Sequence, residues 1–398
     1  MTDSTESAPA AARPLAFDPW LLAVVLLLTG FGLVMVYSAS AVTADARLHD
    51  QFYFLKRQLV AAAVGFVLLA GLLQLGYRRL QSLAVPLLLL VGVALCLVLV
   101  PGVGRVAGGA RRWIDLGVMS FQPAEAAKVV LVLYLARSLA RKKERVRIFS
   151  IGFLPHVIVT GVLVALVLLE KDLGTAVILV LLLGTMLFAG GVPVGYLVGA
   201  ALLAAPVAWK LVAGTPYRMA RITAFLDPWQ HRDGIGFQIV ESLIGIGNGG
   251  WLGQGLGEGK GKLFYLPAAH TDFIAAVIAE ETGLLGMALL LLLFGVLVWR
   301  GLRATFNAPD AFGCYLALGL TILIGAQGLV NLAVVLGLLP TKGLTLPFVS
   351  YGGSSLMTML AAAGILLSVS ASRGGFLRSQ QRAPRPVSVA RAAAEGAR

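Results

Sequence analysis

The chain has 398 residues, 58% of them hydrophobic and only 13% charged. Soluble domains carry about 25% charged residues, so a water-borne fold is excluded for want of polar surface, and the composition describes an all-α integral membrane protein. The net charge of +13 does not point to nucleic acid as a partner, because the basic residues gather in short loops and the tail, where membrane topology puts them. Cys96 and Cys314, both in apolar runs, read as neither a disulfide framework nor a zinc site.

In chain order, residues 1–16 are small and polar, which predicts a disordered N-terminal segment. No basic stretch precedes a short apolar run, so the segment does not read as a signal peptide. The apolar runs that follow predict about ten transmembrane helices, near 20–41, 59–75, 83–100, 123–140, 152–169, 174–190, 192–212, 272–299, 312–338 and 348–371, since about 20 helical residues cross the hydrocarbon core. An even number of spans puts both termini on one side. With the termini inside, the inner segments carry 17 basic residues and the short outer loops 8, which assigns the termini to the cytoplasm. Residues 17–372 then form one ten-helix domain. Residues 373–398, rich in Arg, Ala and Pro, read as a disordered basic cytoplasmic tail near anionic lipid.

Between the seventh and eighth spans lies a large extracytoplasmic loop, about 214–271, far longer than an ordinary helix connection. It holds Trp229, Trp251 and nine glycines between Gly245 and Gly261, and its apolar run Ile239–Ile246 is suited to packing on the membrane surface. The loop reads as functional rather than as a linker.

Charged groups in or beside apolar spans are costly unless paired or facing water, so they are the sharpest clue to chemistry. Glu125 and Lys128 are three residues apart, hence on one helical face, either as a structural ion pair or as part of a polar cavity for an anionic ligand. Glu170 and Asp172 bound a short outer turn in which Asp172 is also placed to cap the next helix. Asp272 stands where the long loop enters a span, in line with Ala276, Ala279, Gly283 and Gly286 at 100° per residue; such a small-residue stripe predicts close approach of a helix or a ligand chain. Of Glu280 and Glu281, at least one is expected to face the bundle interior. The Gly245, Gly247, Gly250 pattern lacks the strand–helix–strand setting of a dinucleotide site. No Walker motif, zinc-protease motif or Cys/His metal set occurs. These residues by themselves fit both a transporter and a lipid-linked transferase.

Several motifs occur together and in order over roughly 20–371: Arg112-Trp113-Ile114, Gln122-Pro123-Ala124-Glu125 with Lys128, Asp172-Leu173-Gly174-Thr175, Tyr265-Leu266-Pro267 with His270-Thr271-Asp272-Phe273, Glu280-Glu281, and Pro340-Thr341-Lys342-Gly343 with Ser350-Tyr351-Gly352-Gly353-Ser354-Ser355. In this combination the chain resembles the SEDS family (FtsW and RodA), its stretches 339–343 and 265–273 being more similar to the division branch, FtsW, than to the elongation branch. Two departures are Lys171, where the family usually has Pro, and Ala268, where Glu is common.

The resemblance implies a SEDS-type, GT-C-like bundle in the bacterial inner membrane, at the division septum. It implies an inverting glycosyltransferase that polymerises lipid II, an undecaprenyl-diphosphate-linked disaccharide–pentapeptide, with a class B penicillin-binding protein as partner transpeptidase beside other division proteins. Asp272 matches the family's essential acid and is expected to act as general base. Arg112, Lys128, Arg218, Arg221 and Lys342 are candidates for diphosphate contact, with Glu125 orienting Lys128. Trp113, Asp172, His270, Glu280, Ser350 and Tyr351 are further substrate-binding candidates. No cofactor is required by the motifs; a magnesium or manganese ion suits the diphosphate chemistry, though no dedicated cage is visible. A lipid II flippase, an elongation-type polymerase and a non-catalytic scaffold are the competing readings.

Overall fold

In the computed structural model, residues 17–107, 109–115, 117, 120–259 and 269–372 are described. The terminal segments 1–16 and 373–398, Tyr265-Leu266-Pro267 and Ala268 lie outside the described residues. Ten helices of 16 residues or more occupy the expected positions: α1 (Pro19–Leu48), α2 (Tyr53–Leu75), α3 (Tyr77–Leu99), α4 (Pro123–Lys142), α5 (Leu154–Leu169), α6 (Leu173–Ala189), α7 (Val194–Ala213), α10 (Ile274–Phe306), α11 (Ala311–Val335) and α12 (Gly353–Ala371). Among the described residues, seven helices are long and apolar enough to cross a membrane, and α6 and most of α7 are shorter apolar helices. This is a multi-pass membrane protein.

The ends of these helices follow from local chemistry. Asp18 caps α1 by accepting hydrogen bonds from the amides of Trp20 and Leu21, and Asp310 caps α11 through Gly313 at 2.7 Å; each satisfies donors the helix itself cannot. Pro19 and Pro123 sit in first turns, where their missing N–H is no loss. At the centre, α12 is buried nearly all round, as expected of a helix without a polar face. It lies close on α2, because a Cβ on Gly364 would come within 2.6 Å of the Leu69 backbone. Glycine here permits backbone approach, the main attraction left between helices in lipid.

The two longest connections are more structured than their composition predicts. Between α3 and α4 the chain forms an antiparallel meander of β1 (Gly104–Ala107), β2 (Ala110–Asp115) and β3 (Ser120–Phe121). Arg105 pairs with Trp113 across β1 and β2, and Ile114 with Phe121 across β2 and β3. The long loop contains two helices, α8 (Pro216–Leu226) and α9 (Phe237–Gly249).

The small-residue stripe of α10 is where α9 and its following turn are seated, since a Cβ on Gly249 would collide with the carbonyl of Ala279. At Gly283 (φ 66°) α10 breaks its helical path. There the amides of Leu284 and Leu285 donate to the carbonyls of Gly250 and Trp251, while those of Gln254 and Gly255 donate to Glu280 and Glu281, all at 2.9–3.2 Å. The kink thus exchanges intrahelical bonds for bonds to the loop and leaves these groups paired.

Candidate active site

The site is built around the turn between α5 and α6. Only three residues reverse the chain, and Lys171 takes the left-handed region (φ 61°). Its N–H donates to the Leu168 carbonyl at 3.0 Å. Asp172 caps α6: Oδ1 accepts from the Thr175 amide at 3.0 Å and Oδ2 from the Thr175 hydroxyl at 2.9 Å and Gln122 Nε2 at 3.2 Å. Arg112, on β2, donates from Nε to the Glu170 carbonyl (3.0 Å) and from Nη2 to that of Lys171 (2.6 Å). Sheet and turn are therefore stitched together by one guanidinium. Both carboxylate oxygens of Glu170 are buried without a hydrogen-bond partner. Burial, reinforced by Asp172 and partly offset by Arg112, raises its pKa to about 8.

Above this turn opens a cavity of about 840 Å³, whose charged lining consists of Lys56, Arg57, Arg105, Arg112, Glu125, Asp172 and Asp272. Trp113, Gln122, Thr345, Tyr351 and Ser355 complete much of the polar and aromatic wall. Four cations and three carboxylates thus converge in a space of the size that takes a sizeable ligand. Lys56 is paired with Asp50 at 2.9 Å and Arg105 with Asp115 at 3.4 Å, both on the exposed rim. The Arg57 guanidinium lies 4.8 Å from the Tyr53 ring centre.

Asp272 stands two residues before the first residue of α10 and does not cap it; Phe273, between them, is the N-cap and makes no side-chain cap bond. Burial raises the Asp272 pKa to about 6, with Arg221 opposing, Asp172 adding and Arg112 opposing. Desolvation outweighs the two arginines that favour the charged form. The facing loop comes close: a Cβ on Gly343 would lie 3.3 Å from Asp272 Oδ2.

Lys128 is not among the cavity-lining residues. Its side chain is fully buried, with Nζ donating to Glu125 Oε1 at 2.8 Å and to Gln327 Oε1 at 2.7 Å. Gln327 Nε2 in turn donates to the Thr345 carbonyl at 3.0 Å, and the Thr345 and Ser355 hydroxyls are bonded at 2.7 Å. The pair is internally neutralised and lies behind the wall, with Glu125 at the surface of the cavity; the helical spacing predicts the pairing but not its depth.

The remaining candidates fall into two groups. Arg221 on α8 bonds the Thr341 carbonyl at 3.1 Å; Arg218 is three residues earlier, and neither lines the cavity. Lys342 lies half-buried on the same loop, and burial lowers its pKa. Ser350 Oγ accepts from the Leu346 amide at 2.8 Å, and the Tyr351 amide donates to the His270 carbonyl at 2.9 Å. The His270 ring packs 4.5 Å from that of Phe54, and burial lowers its pKa to about 4, which keeps it neutral. Glu280 lies away from the cavity, buried beside α9 and Gly259, and the neighbouring Glu281 carboxylate accepts from the Ser38 hydroxyl at 2.7–2.8 Å. Among the described residues, no group of three or more His, Cys, Asp or Glu is gathered to hold a metal ion.

With this geometry in hand, the chain can be set beside known proteins. The family model of the FtsW, RodA and SpoVE proteins, described as cell cycle proteins, matches residues 19–374. The chain belongs to the FtsW/RodA/SpoVE family. A relative from Geobacter sulfurreducens named "Probable peptidoglycan glycosyltransferase FtsW" is 49% identical over 89% of this chain and 95% of its own length. Among solved structures of the FtsW/RodA/SpoVE type, a chain of a peptidoglycan synthase complex superposes with a TM-score of 0.76 at 34% identity, covering 90% of this chain and 99% of that one. The rod shape determining protein RodA of Thermus thermophilus superposes with a TM-score of 0.67 at 33% identity, covering 90% and 98%.

Proposed function

We infer that the chain is a peptidoglycan glycosyltransferase of septal cell-wall synthesis, acting on lipid II at the outer face of the inner membrane, with both termini in the cytoplasm and a class B penicillin-binding protein as partner. The match at 49% identity to a glycosyltransferase of that name supports the activity. The likeness to a chain of a synthase complex supports the partnership.

One observation carries the site assignment: a desolvated carboxylate, Asp272, shares one cavity with the cations Arg57, Arg105 and Arg112. In the proposed step Asp272 takes the proton from the acceptor sugar's 4-hydroxyl. The freed oxygen attacks the anomeric carbon of the donor, the carbon–oxygen bond to the diphosphate breaks, and that oxygen leaves with the electron pair on the lipid diphosphate. One displacement inverts the anomeric centre. A pKa near 6 leaves Asp272 ionised at neutral pH yet more basic than an ordinary aspartate, which suits a general base. The leaving diphosphate is assigned to the arginines, whose planar donors match phosphate oxygens, rather than to Lys128, whose ammonium is already bonded to Glu125 and Gln327. The described carboxylates do not make a cage for a magnesium or manganese ion, so such an ion would take most of its ligands from the diphosphate.

The test is polymerisation of lipid II by the full-length chain in liposomes. Asp272→Ala and Asp272→Asn are expected to lower polymer formation about 10²–10⁴-fold, and the wild-type rate to climb as pH rises through about 6. Full activity in either variant overturns the assignment. Transbilayer movement of lipid II without any polymer would favour a flippase.

A further inference from the structure

Asp272 and the loop facing it are joined by a residue from a third element. On α11, Asn331 is 1% exposed, and its Nδ2 donates two hydrogen bonds, to the Asp272 carbonyl at 2.9 Å and to the Leu344 carbonyl at 2.6 Å. One turn earlier Gln327 holds the Thr345 carbonyl, so one face of α11 grips two consecutive residues of the loop. Arg221 on α8 holds the Thr341 carbonyl of the same loop. Between these grips lies Gly343, packed against the Asp272 carboxylate so closely that an added Cβ would sit 3.3 Å from Oδ2. The Asn331 Oδ1 is itself buried with no hydrogen-bond partner. Packing alone would not call for an amide here, because an apolar side chain of the same shape avoids burying an unsatisfied oxygen. What the amide supplies, and an apolar group cannot, is a pair of N–H donors diverging to two separate chain segments.

We propose that Asn331 is the positioning residue of the site: it ties the backbone of Asp272 to that of Leu344 and so sets where the carboxylate stands in the cavity. This rests on the reading of Asp272 as general base. The charged and titratable groups around that carboxylate are Arg221 from α8, Arg112 from β2, Asp172 from the start of α6, Lys342 from the facing loop and His270 from its own segment. None touches Asn331 by a described hydrogen bond, so a change at Asn331 acts on Asp272 through position rather than through added charge.

The experiment compares kcat, KM and the acid limb of the pH profile for the full-length chain with lipid II. Asn331→Leu removes both donors, and Asn331→Ser, whose single O–H donor cannot tie two carbonyls together, serves where the Leu variant does not fold. Both are expected to lower kcat on the order of 10²-fold, the cost of a misplaced catalytic group, with KM within about twofold, as expected when an interaction specific to the transition state is lost. The midpoint of the acid limb should move from about 6 toward the ordinary aspartate value of about 4, as water reaches a loosened carboxylate. Gly343→Ala keeps both hydrogen bonds, crowds the carboxylate from the other side, and should lower kcat without altering thermal unfolding. Folded Asn331→Ser with wild-type kcat and midpoint, or with kcat reduced only in proportion to the folded fraction, overturns the positioning role. So does full kcat in Gly343→Ala. Asp272→Asn is assayed alongside: if it is inactive while the Asn331 variants are normal, only the positioning role falls, whereas an active Asp272→Asn removes the base and the positioning role with it.

Discussion

The two ends of the bundle treat their polar groups differently. At the end that carries the described termini, Asp18 caps α1 and is held by Arg300, and its amide donates to the Ser370 hydroxyl at 3.1 Å. Nearby, Asp310 caps α11 and accepts from the Tyr77 hydroxyl at 2.6 Å, while the Tyr77 amide bonds Ser368. Acids, cations and helix ends there satisfy one another. At the cavity end, Glu125 Oε2, both oxygens of Glu170 and Asn331 Oδ1 are buried without partners. Unsatisfied buried groups reduce stability. The first end uses its polar groups to hold helices together, and the second leaves several of them buried and unsatisfied around the cavity.

If that contrast is right, breaking the first end should cost stability and spare chemistry. Arg300→Met leaves the part-buried Asp18 without its cation, and removing the charged partner of such a group costs up to about 3 kcal/mol. The expected result is a large drop in the thermal midpoint in detergent, with kcat per folded molecule unchanged. A kcat that falls by more than the folded fraction would mean that the two ends are coupled.

The cavity end should show the opposite trade. Asp272 has a folded pKa raised to about 6 from 3.8. Its contribution to stability is therefore fully present below about pH 4 and is lost as pH rises through 6. Above that the ionised form costs about 3 kcal/mol, because each tenfold change in proton affinity between the folded and unfolded chain is worth about 1.4 kcal/mol. Asp272→Asn, although inactive, is expected to unfold at a higher temperature than wild type at pH 7.5, with the gain vanishing near pH 4. Equal stability at both pH values would show that the carboxylate is better solvated than its surroundings indicate.

The sequence shows these two ends unequally. The spans are visible because long apolar runs leave no alternative to helices in lipid, and the capping role of Asp172 is visible from its place before Leu173-Gly174-Thr175. Asp272, Arg112, Asp172 and Glu125 are reachable because their motifs occur in family order. The rim cations Lys56, Arg57 and Arg105 are hidden, since their charges read equally well as topology markers. So is the sheet, because strands of two to six residues carrying Gly and adjacent arginines show no period-two pattern. Lys128 looks available for phosphate, because helical spacing reports which side chains pair and not how deep they lie. Asn331 does leave a signal, though a faint one: with Gln327 it places two amides at i and i+4 on one face of an otherwise apolar span, where polar side chains need partners.

The smallest effect tests whether the α5–α6 turn is itself part of the contrast. Proline, the residue that family resemblance leads one to expect at 171, is confined to φ near −65°, whereas Lys171 stands at 61°. Proline there would also remove the amide that donates to Leu168. Glycine, by contrast, keeps both backbone hydrogen bonds of this residue and adopts the left-handed region freely, relieving a strain of about 1 kcal/mol for an L-residue. It gives up only the Lys171 Nζ contact to the Gly109 carbonyl, which is solvent-exposed at 3.2 Å. Lys171→Gly is therefore expected to raise the unfolding midpoint slightly and Lys171→Pro to lower it by more. Arg112 hangs its guanidinium on the carbonyls of residues 170 and 171, so the Pro variant should also weaken lipid II binding, read as a higher KM. A Pro variant as stable as wild type would mean that the turn can move to a second backbone path without disturbing the cavity wall.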